Sequence, residues 1–521
     1  MAKVRNILFI MCDQLRRDYL SCYGHSTMST PNIDALAAQG SRFTHAYVQG
    51  PVCGPSRMST YTGRYVSSHG ATWNFVPFPI QIPTLGDYMS RSGLRTAVIG
   101  KTHVQPDLAG LQRLDLISTE GLGQRLAEGG FEPYARHDGI IPDSKAKQSQ
   151  PIYNQYLQKN GYEGFNPWHY FANSAMDDSG QLQSGWAMRN ANLPARVHEC
   201  HSETAWCTDQ ALQYKKTQGD SPWFLHLSYI KPHWPYIAPA PYHQRFGAQD
   251  VKAPVRSDQE RTDTHPVYRA FRNHLESQSF SLQSVRERVI PTYMGLIKQI
   301  DDHVGRLMEG LKAQGRIQDT LIVFTSDHGD LLGDHWLGEK EMFYEASAGV
   351  PLIIVDPSLS NQVGVCNELV EAIDLIPTFI EALGQPADKQ WLEGQSLLPC
   401  MQNLEIGKQA VFSELDYAYY PAAKDLCLNV NEARATMVRT QRWKLVDYKG
   451  FEPQLFDMQE DPDELNDLGQ SAEHVNLRGD LKDLINQWRK NLRTRTSMSD
   501  TQAEQLVARR NAMKDFVIGQ W

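Results

Sequence analysis

Long apolar runs are missing from this chain. The run near its start, Ile7-Leu8-Phe9-Ile10-Met11, is closed by Cys12 and Asp13. It is too short to cross a bilayer and lacks the small-residue cleavage site of a secretory leader, so it reads as a buried strand. Positive charge is also scarce: 51 Lys and Arg against 60 Asp and Glu leave a net charge of −9. Neither nucleic acid nor a membrane surface is favoured as a partner, and an anionic substrate requires positive charge gathered locally. Cysteine is sparse and irregular, at Cys12, Cys22, Cys53, Cys200, Cys207, Cys366, Cys400 and Cys427. Without a regular framework, free thiols in a reducing cytoplasm are the expectation, or a periplasmic setting if a leader was removed. Repeats and low-complexity segments are absent too. What is present is an ordinary globular composition, 41% hydrophobic and 21% charged, over 521 residues. That length accommodates a large domain and a smaller one, each with its own core.

Apolar runs at residues 7–11, 96–99, 224–229, 321–324 and 350–355 have the length and the β-branched or aromatic content of buried parallel strands. Residues 32–39, 84–92 and 293–314 read as helices; in the last, Ile297, Ile300, Val304, Leu307 and Leu311 recur at helical spacing. The alternation predicts an α/β fold, a large mostly parallel sheet covered by helices on both faces. Residues 110–213 are loop-rich and read as insertions over a cleft that shape substrate choice. After about residue 385 the pattern changes to short strands at 410–413, 435–439 and 443–447. Two domains are therefore expected, 1–385 and a smaller α+β domain over 386–521 with a helical tail. The tail ends Phe516-Val517-Ile518-Gly519-Gln520-Trp521. Packing of that apolar end on a neighbouring subunit makes a homo-oligomer the expectation.

The polar residues that follow the strands carry the chemistry. Asp13 follows the first, Lys101 and His103 the second, His233 the third and Asp327-His328 the fourth. Ligands of open α/β sheets bind outside the carboxyl ends of the strands, so these groups converge on one cleft. Asp13-Gln14 and Asp327-His328 offer ligands for a hard divalent cation. Arg57, Lys101, Lys340 and a protonatable His233 supply the positive charge that the composition withholds. His69, His201 and His265 read as structural.

Cys53-Gly54-Pro55-Ser56-Arg57, closed by Thr62-Gly63-Arg64, is the most informative stretch. Alone it also suits a buried cysteine ahead of a proline-initiated helix. Taken with Gly100-Lys101-Thr102-His103, Lys231-Pro232-His233-Trp234-Pro235-Tyr236 and residues 325–335 with Lys340, it resembles the type I sulfatases of the alkaline phosphatase superfamily. Pro222-Trp223-Phe224-Leu225-His226-Leu227 and Leu455-Phe456-Asp457 look like the arylsulfatase and phosphonate monoester hydrolase subgroup, and the likeness runs from Asn6 to about residue 468.

The resemblance implies that a formylglycine-generating enzyme oxidises Cys53 and that the hydrated aldehyde is the nucleophile. Its second hydroxyl then lets sulfate leave as the aldehyde reforms, which a serine ester could not do. The resemblance also implies one divalent metal ion at Asp13, Gln14, Asp327, His328 and residue 53, Ca2+ by default with Mn2+ or Mg2+ as competitors. Many sulfatases carry an aspartate in place of Gln14 and an asparagine in place of His328, which leaves the ion open. Catalytic roles fall to Lys101, which bridges nucleophile and substrate, His103, which supports the nucleophile, and His233 near the leaving group. Lys340 and Arg57 balance charge, and Asn74 binds substrate. Phosphonate monoester hydrolases have a tyrosine and a threonine where this chain has Lys101 and His103. The expected reaction is hydrolysis of small-molecule or saccharide sulfate monoesters, with phosphonate monoester or phosphodiester hydrolysis at the same site as the alternative. A catalytically silent metal-binding member is the more distant alternative, and the occupied polar positions argue against it.

Overall fold

The computed structural model describes residues 4–262, 264–360, 362–386 and 390–512. Its main sheet contains β1 (Asn6–Asp13), β2 (Ser41–Tyr47), β3 (Arg95–Gly100), β4 (Glu132–Arg136), β5 (Trp223–Pro232), β6 (Thr320–Ser326), β7 (Gly349–Val355) and β8 (Val365–Glu371). They lie side by side in the order β8-β2-β7-β6-β1-β5-β3-β4. In β1, Leu8, Ile10 and Cys12 pack on one side and Ile7, Phe9 and Met11 on the other. A strand apolar on both sides belongs at the centre of a sheet covered twice. The covering helices are α1 (Pro31–Gln39), α2 (Cys53–Thr62), α3 (Leu85–Arg91), α4 (Glu203–Gln218), α5 (Gln283–Ala313) and α6 (Leu375–Ala382). The Leu8 face receives α1, α4 and α5, the last through Ile297, Ile300, Val304, Leu307 and Leu311. The Phe9 face receives α2, α3 and α6. Helix α4 enters the stretch expected as loop because Trp206, Cys207, Ala211 and Tyr214 pack on the sheet.

β1 runs parallel to β5 and β6, and β3 parallel to β5 and β4. The expectation of a parallel strand at 350–355 is corrected: β7 is antiparallel to both β6 and β2. A parallel return needs a crossover to the far end of the sheet. Here residues 327–348 stay at the carboxyl end of β6, and the chain re-enters from that end.

A second, antiparallel sheet follows: β9 (Val411–Asp416), β10 (Arg434–Arg439), β11 (Trp443–Tyr448) and β12 (Gln454–Asp457), in sequence order. Its Val411, Met437, Val446 and Phe456 share a core with Tyr47, Leu331 and Leu369 of the larger unit. Phe412, Val438 and Leu445 face α7 (Val475–Asn491) through Leu481, Ile485 and Trp488. The terminal Phe516-Val517-Ile518-Gly519-Gln520-Trp521 lies outside the described residues. The expectation of free thiols is corrected for one pair: Cys366 on β8 and Cys400 form a disulfide. Packing of Leu398–Met401 beside β8 brings their Cα atoms to 6.5 Å, a proximity that a separation of 34 residues does not reveal. No described helix is long and apolar enough to cross a membrane.

Candidate active site

Because β1, β3, β5 and β6 point the same way, Asp13, Lys101, His233 and Asp327 emerge together at the carboxyl ends of these strands. Cys53 joins them as the first residue of α2, with Pro55 in the first turn, where its missing N–H costs no helical bond. The helix start is pressed onto residue 74: the Gly54 N–H donates to Asn74 Oδ1 at 2.8 Å, and a Cβ on Gly54 would lie 2.8 Å from Asn74 Cα. Asn74, expected to bind substrate, thus anchors the helix that begins at Cys53 with its side-chain oxygen.

Ligand atoms of Asp13, Cys53, Asp327 and His328 all lie within 4.8 Å of one another, and all four residues are buried. His328 Nδ1 donates to the Gly329 carbonyl at 2.8 Å, which turns Nε2 toward Cys53 Sγ at 3.1 Å. Gln14 has a positive φ of 64°, and its N–H donates to Asp327 Oδ1 at 3.1 Å. Its side-chain Nε2 donates to Asp330 and, at 3.3 Å, to the Tyr236 hydroxyl. Oε1 is therefore the end turned toward Lys340 Nζ, 3.1 Å away. Burial, helped by Glu339, pushes Asp330 up to about 6. Burial would lower the His328 pKa, yet Asp327 and Cys53 outweigh it and push it up to about 9. So anionic a group of oxygen and imidazole donors fits a divalent cation.

Cations surround these groups. Arg57 donates from Nε to Asp327 Oδ2 at 2.7 Å, from one terminal nitrogen to the Lys101 carbonyl and Ser228 Oγ at 2.8 Å each, and from the other to Asp13 Oδ2 at 3.3 Å. It is wholly buried behind the carboxylates. The expectation that it faces the transferring group is corrected, because its donors are engaged in orienting the acidic ligands. Lys101 Nζ pairs with Asp13 Oδ2. Lys340 Nζ lies 3.5 Å from His233 Nε2, and His233 Nδ1 donates to the Trp234 carbonyl at 2.6 Å. Burial and Cys53 would raise the Asp13 pKa, but Lys101, His233 and Arg57 hold it down to about 2. Burial would likewise raise that of Cys53, yet Lys101, Lys340 and His328 bring the thiol well below its ordinary value. Burial lowers the His233 pKa, with Lys340 and Lys101 adding to it against the pull of Asp13.

His103 lies beside Cys53, and its side-chain hydrogen bond helps to lower the thiol's pKa. Its backbone has a φ of 56°, and the N–H groups of Thr102 and His103 donate to Asp138 Oδ1 at 3.0 and 3.3 Å. Asp138 also pairs with Arg136 at 2.7 Å. Against burial, Arg136 and His103 keep it below the usual carboxylate range. Sequence reasoning missed Asp138 because edge strand β4, which it follows, is too polar to stand out; the strand-end rule applies to it equally. Asp330 and Tyr236 sat inside the recognised blocks without a role. Glu341 was also missed: it is buried, held by the Tyr420 hydroxyl from beyond β9, and pushed up to about 8 by burial. His69, His201 and His265 are structural as expected, bonded to Ser59, Tyr156 and the Glu452 carbonyl.

Positive charge gathered around a carboxylate-lined cysteine suits one kind of chemistry, attack on an anionic ester. The chain belongs to the sulfatase family: the family model described as Sulfatase matches residues 5–385. It is accordingly a sulfuric ester hydrolase. A second model, N-sulphoglucosamine sulphohydrolase, C-terminal, matches residues 333–491. The multifunctional alkaline phosphatase superfamily protein PehA of Trinickia caryophylli is 29% identical over 97% of this chain and 99% of its own. The arylsulfatase of Clostridium perfringens is 26% identical over 90% and 91%. Among solved structures, the phosphonate monoester hydrolase SpPMH of Silicibacter pomeroyi superposes with a TM-score of 0.80 at 27% identity, covering 94% of this chain and 96% of its own.

Proposed function

We propose that the chain, once a formylglycine-generating enzyme has converted Cys53, hydrolyses sulfate monoesters as an arylsulfatase-like enzyme. The observation that carries this is Cys53 at a helix start inside the acidic ligand group. The matured residue supplies a geminal diol, one hydroxyl to attack sulfur and a second to release sulfate. A divalent ion held by Asp13, Gln14, Asp327 and His328 supplies Lewis-acid stabilisation of anionic oxygen. Lys101, paired with Asp13 beside residue 53, balances charge on the transferring group. His233, with Nδ1 committed to a carbonyl, holds the Lys340 ammonium through Nε2, and that ammonium stabilises the charge on the leaving oxygen. His103 accepts the proton lost by residue 53. Arg57 and Asp138 hold these groups in place without touching substrate.

An imidazole nitrogen among the ligands favours Mn2+ over the Ca2+ expected from the resemblance, because Ca2+ takes oxygen ligands; elemental analysis decides between them. The function test is intact mass of the peptide containing residue 53, together with aryl sulfate turnover. Formylglycine in active preparations and no turnover by Cys53→Ala are expected; full activity with an unmodified thiol ends the reading. The similarity to SpPMH over nearly the whole chain favours phosphonate monoester hydrolysis as the second reading. Relative rates on an aryl sulfate and a phenyl phosphonate ester separate the two. The apolar Phe516-Val517-Ile518-Gly519-Gln520-Trp521 end supports a homo-oligomer, and light scattering showing a monomer at micromolar concentration ends that reading.

A further inference from the structure

We infer that the leaving-group side of the site is an aromatic clamp, with Phe75 on one wall and Trp234 and Trp186 on the other, that takes a planar aryl group; this rests on the sulfatase reading. Phe75 is 75% exposed although it directly follows Asn74, the anchor of the nucleophile's helix. Its ring centroid lies 6.4 Å from that of His103, edge to face. Trp234 follows His233, and its ring is 5.9 Å from Lys340 Nζ. Trp186, 41% exposed, meets Trp234 at 6.0 Å and is backed by buried Trp168 at 5.9 Å, which makes a firm platform. The walls belong to neighbouring strands, since His103 follows β3 and His233 follows β5. Large rings left in water beside an anion site gain by covering apolar surface.

The occupant's chemistry follows from what surrounds those rings. Lys340 already takes the cation position over Trp234, which works against a quaternary ammonium. Phe75 brings no donor or acceptor, and the unpartnered polar atoms at the walls, Trp234 Nε1 and His103 Nδ1, are too few for a saccharide, which needs partners for its hydroxyls. An aryl ring needs neither and stacks on both walls.

The test uses matured, metal-loaded enzyme with Phe75→Ala and Trp186→Ala. Each substitution is expected to lower kcat/KM on 2-naphthyl sulfate about tenfold more than on methyl sulfate, mainly through KM. Each should also weaken competitive inhibition by naphthalene-2-sulfonate by a similar factor, a readout that needs no turnover. Because Phe75 is exposed, its truncation leaves the core intact. Equal losses on both esters overturn the clamp. So does faster wild-type turnover of choline sulfate or a hexosamine 6-sulfate than of 2-naphthyl sulfate, since the aryl ester has the better leaving group. An enzyme that binds the sulfonate through these residues but hydrolyses no sulfate ester keeps the clamp and ends the sulfatase reading.

Discussion

Asp327 is gripped from two sides, by the Gln14 N–H at Oδ1 and by Arg57 at Oδ2, so its carboxylate has one orientation. Asp327→Asn is expected to remove bound metal and lower kcat/KM by about a hundredfold or more, while Arg57 keeps Asp13 as a partner and the fold persists. Elemental analysis beside circular dichroism checks this; wild-type metal content with wild-type turnover removes Asp327 from the ligands. Lys101 and His103 are expected to hold the choice between ester classes. Replacing them by Tyr and Thr is expected to cut aryl sulfate hydrolysis about a hundredfold more than phosphonate ester hydrolysis, because a buried ammonium next to the nucleophile is lost. An unchanged ratio of the two activities puts the phosphonate reading on equal standing. Both residues were legible from the Gly-Lys-x-His string. Arg57 was legible as a site residue but not in its direction, because the carboxylates that turn it inward lie 270 and 44 positions away.

At the scale of elements, the turn after β3 depends on a glycine. Gly100 has a φ of 87°, and a Cβ there would stand 1.9 Å from the Ser228 carbonyl oxygen of β5. Backbone on both sides cannot yield, so Gly100→Ala is expected to destabilise the protein by about 2 kcal/mol or more. It should also lower turnover by displacing Lys101; thermal unfolding and kcat measured together test it, and an unchanged melting temperature contradicts the tight approach. The glycine was visible in the sequence, but its cause is the neighbouring strand. β1, β3, β5 and β6 were legible because runs apolar on both faces suit only the middle of a covered sheet. β2, β4 and β8 were not, since Ser41–Tyr47, Glu132–Arg136 and Val365–Glu371 carry polar residues tolerated toward the sheet margins. The reversal of β7 depends on where residues 327–348 travel, which local pattern does not encode.

Across the whole molecule the second sheet is tied to the catalytic unit by a buried charge. Lys444 on β11 is fully buried and pairs with Glu464 at 2.7 Å and with Glu345, just before β7, at 2.8 Å. Lys444→Met leaves two carboxylates without that partner and is expected to cost about 3–5 kcal/mol. Chemical denaturation measures it, and a loss below about 1 kcal/mol means that solvent already reaches the pair. The sequence by itself determined the chemistry, because the Cys-x-Pro-Ser-Arg, Gly-Lys-x-His and Asp-His-Gly-Asp strings place residue types that the reaction demands at strand and helix ends. It determined the α/β class for the same local reason, buried runs alternating with helical periodicity. Only the tertiary structure decided which donor faces which acceptor: Arg57 behind the ligands, Asn74 and Asp138 as anchors, Cys366 bonded to Cys400, and Lys444 bridging the two sheets. Those pairings join residues far apart in the chain, and their geometry exists only once strand register and packing bring them within a few ångströms.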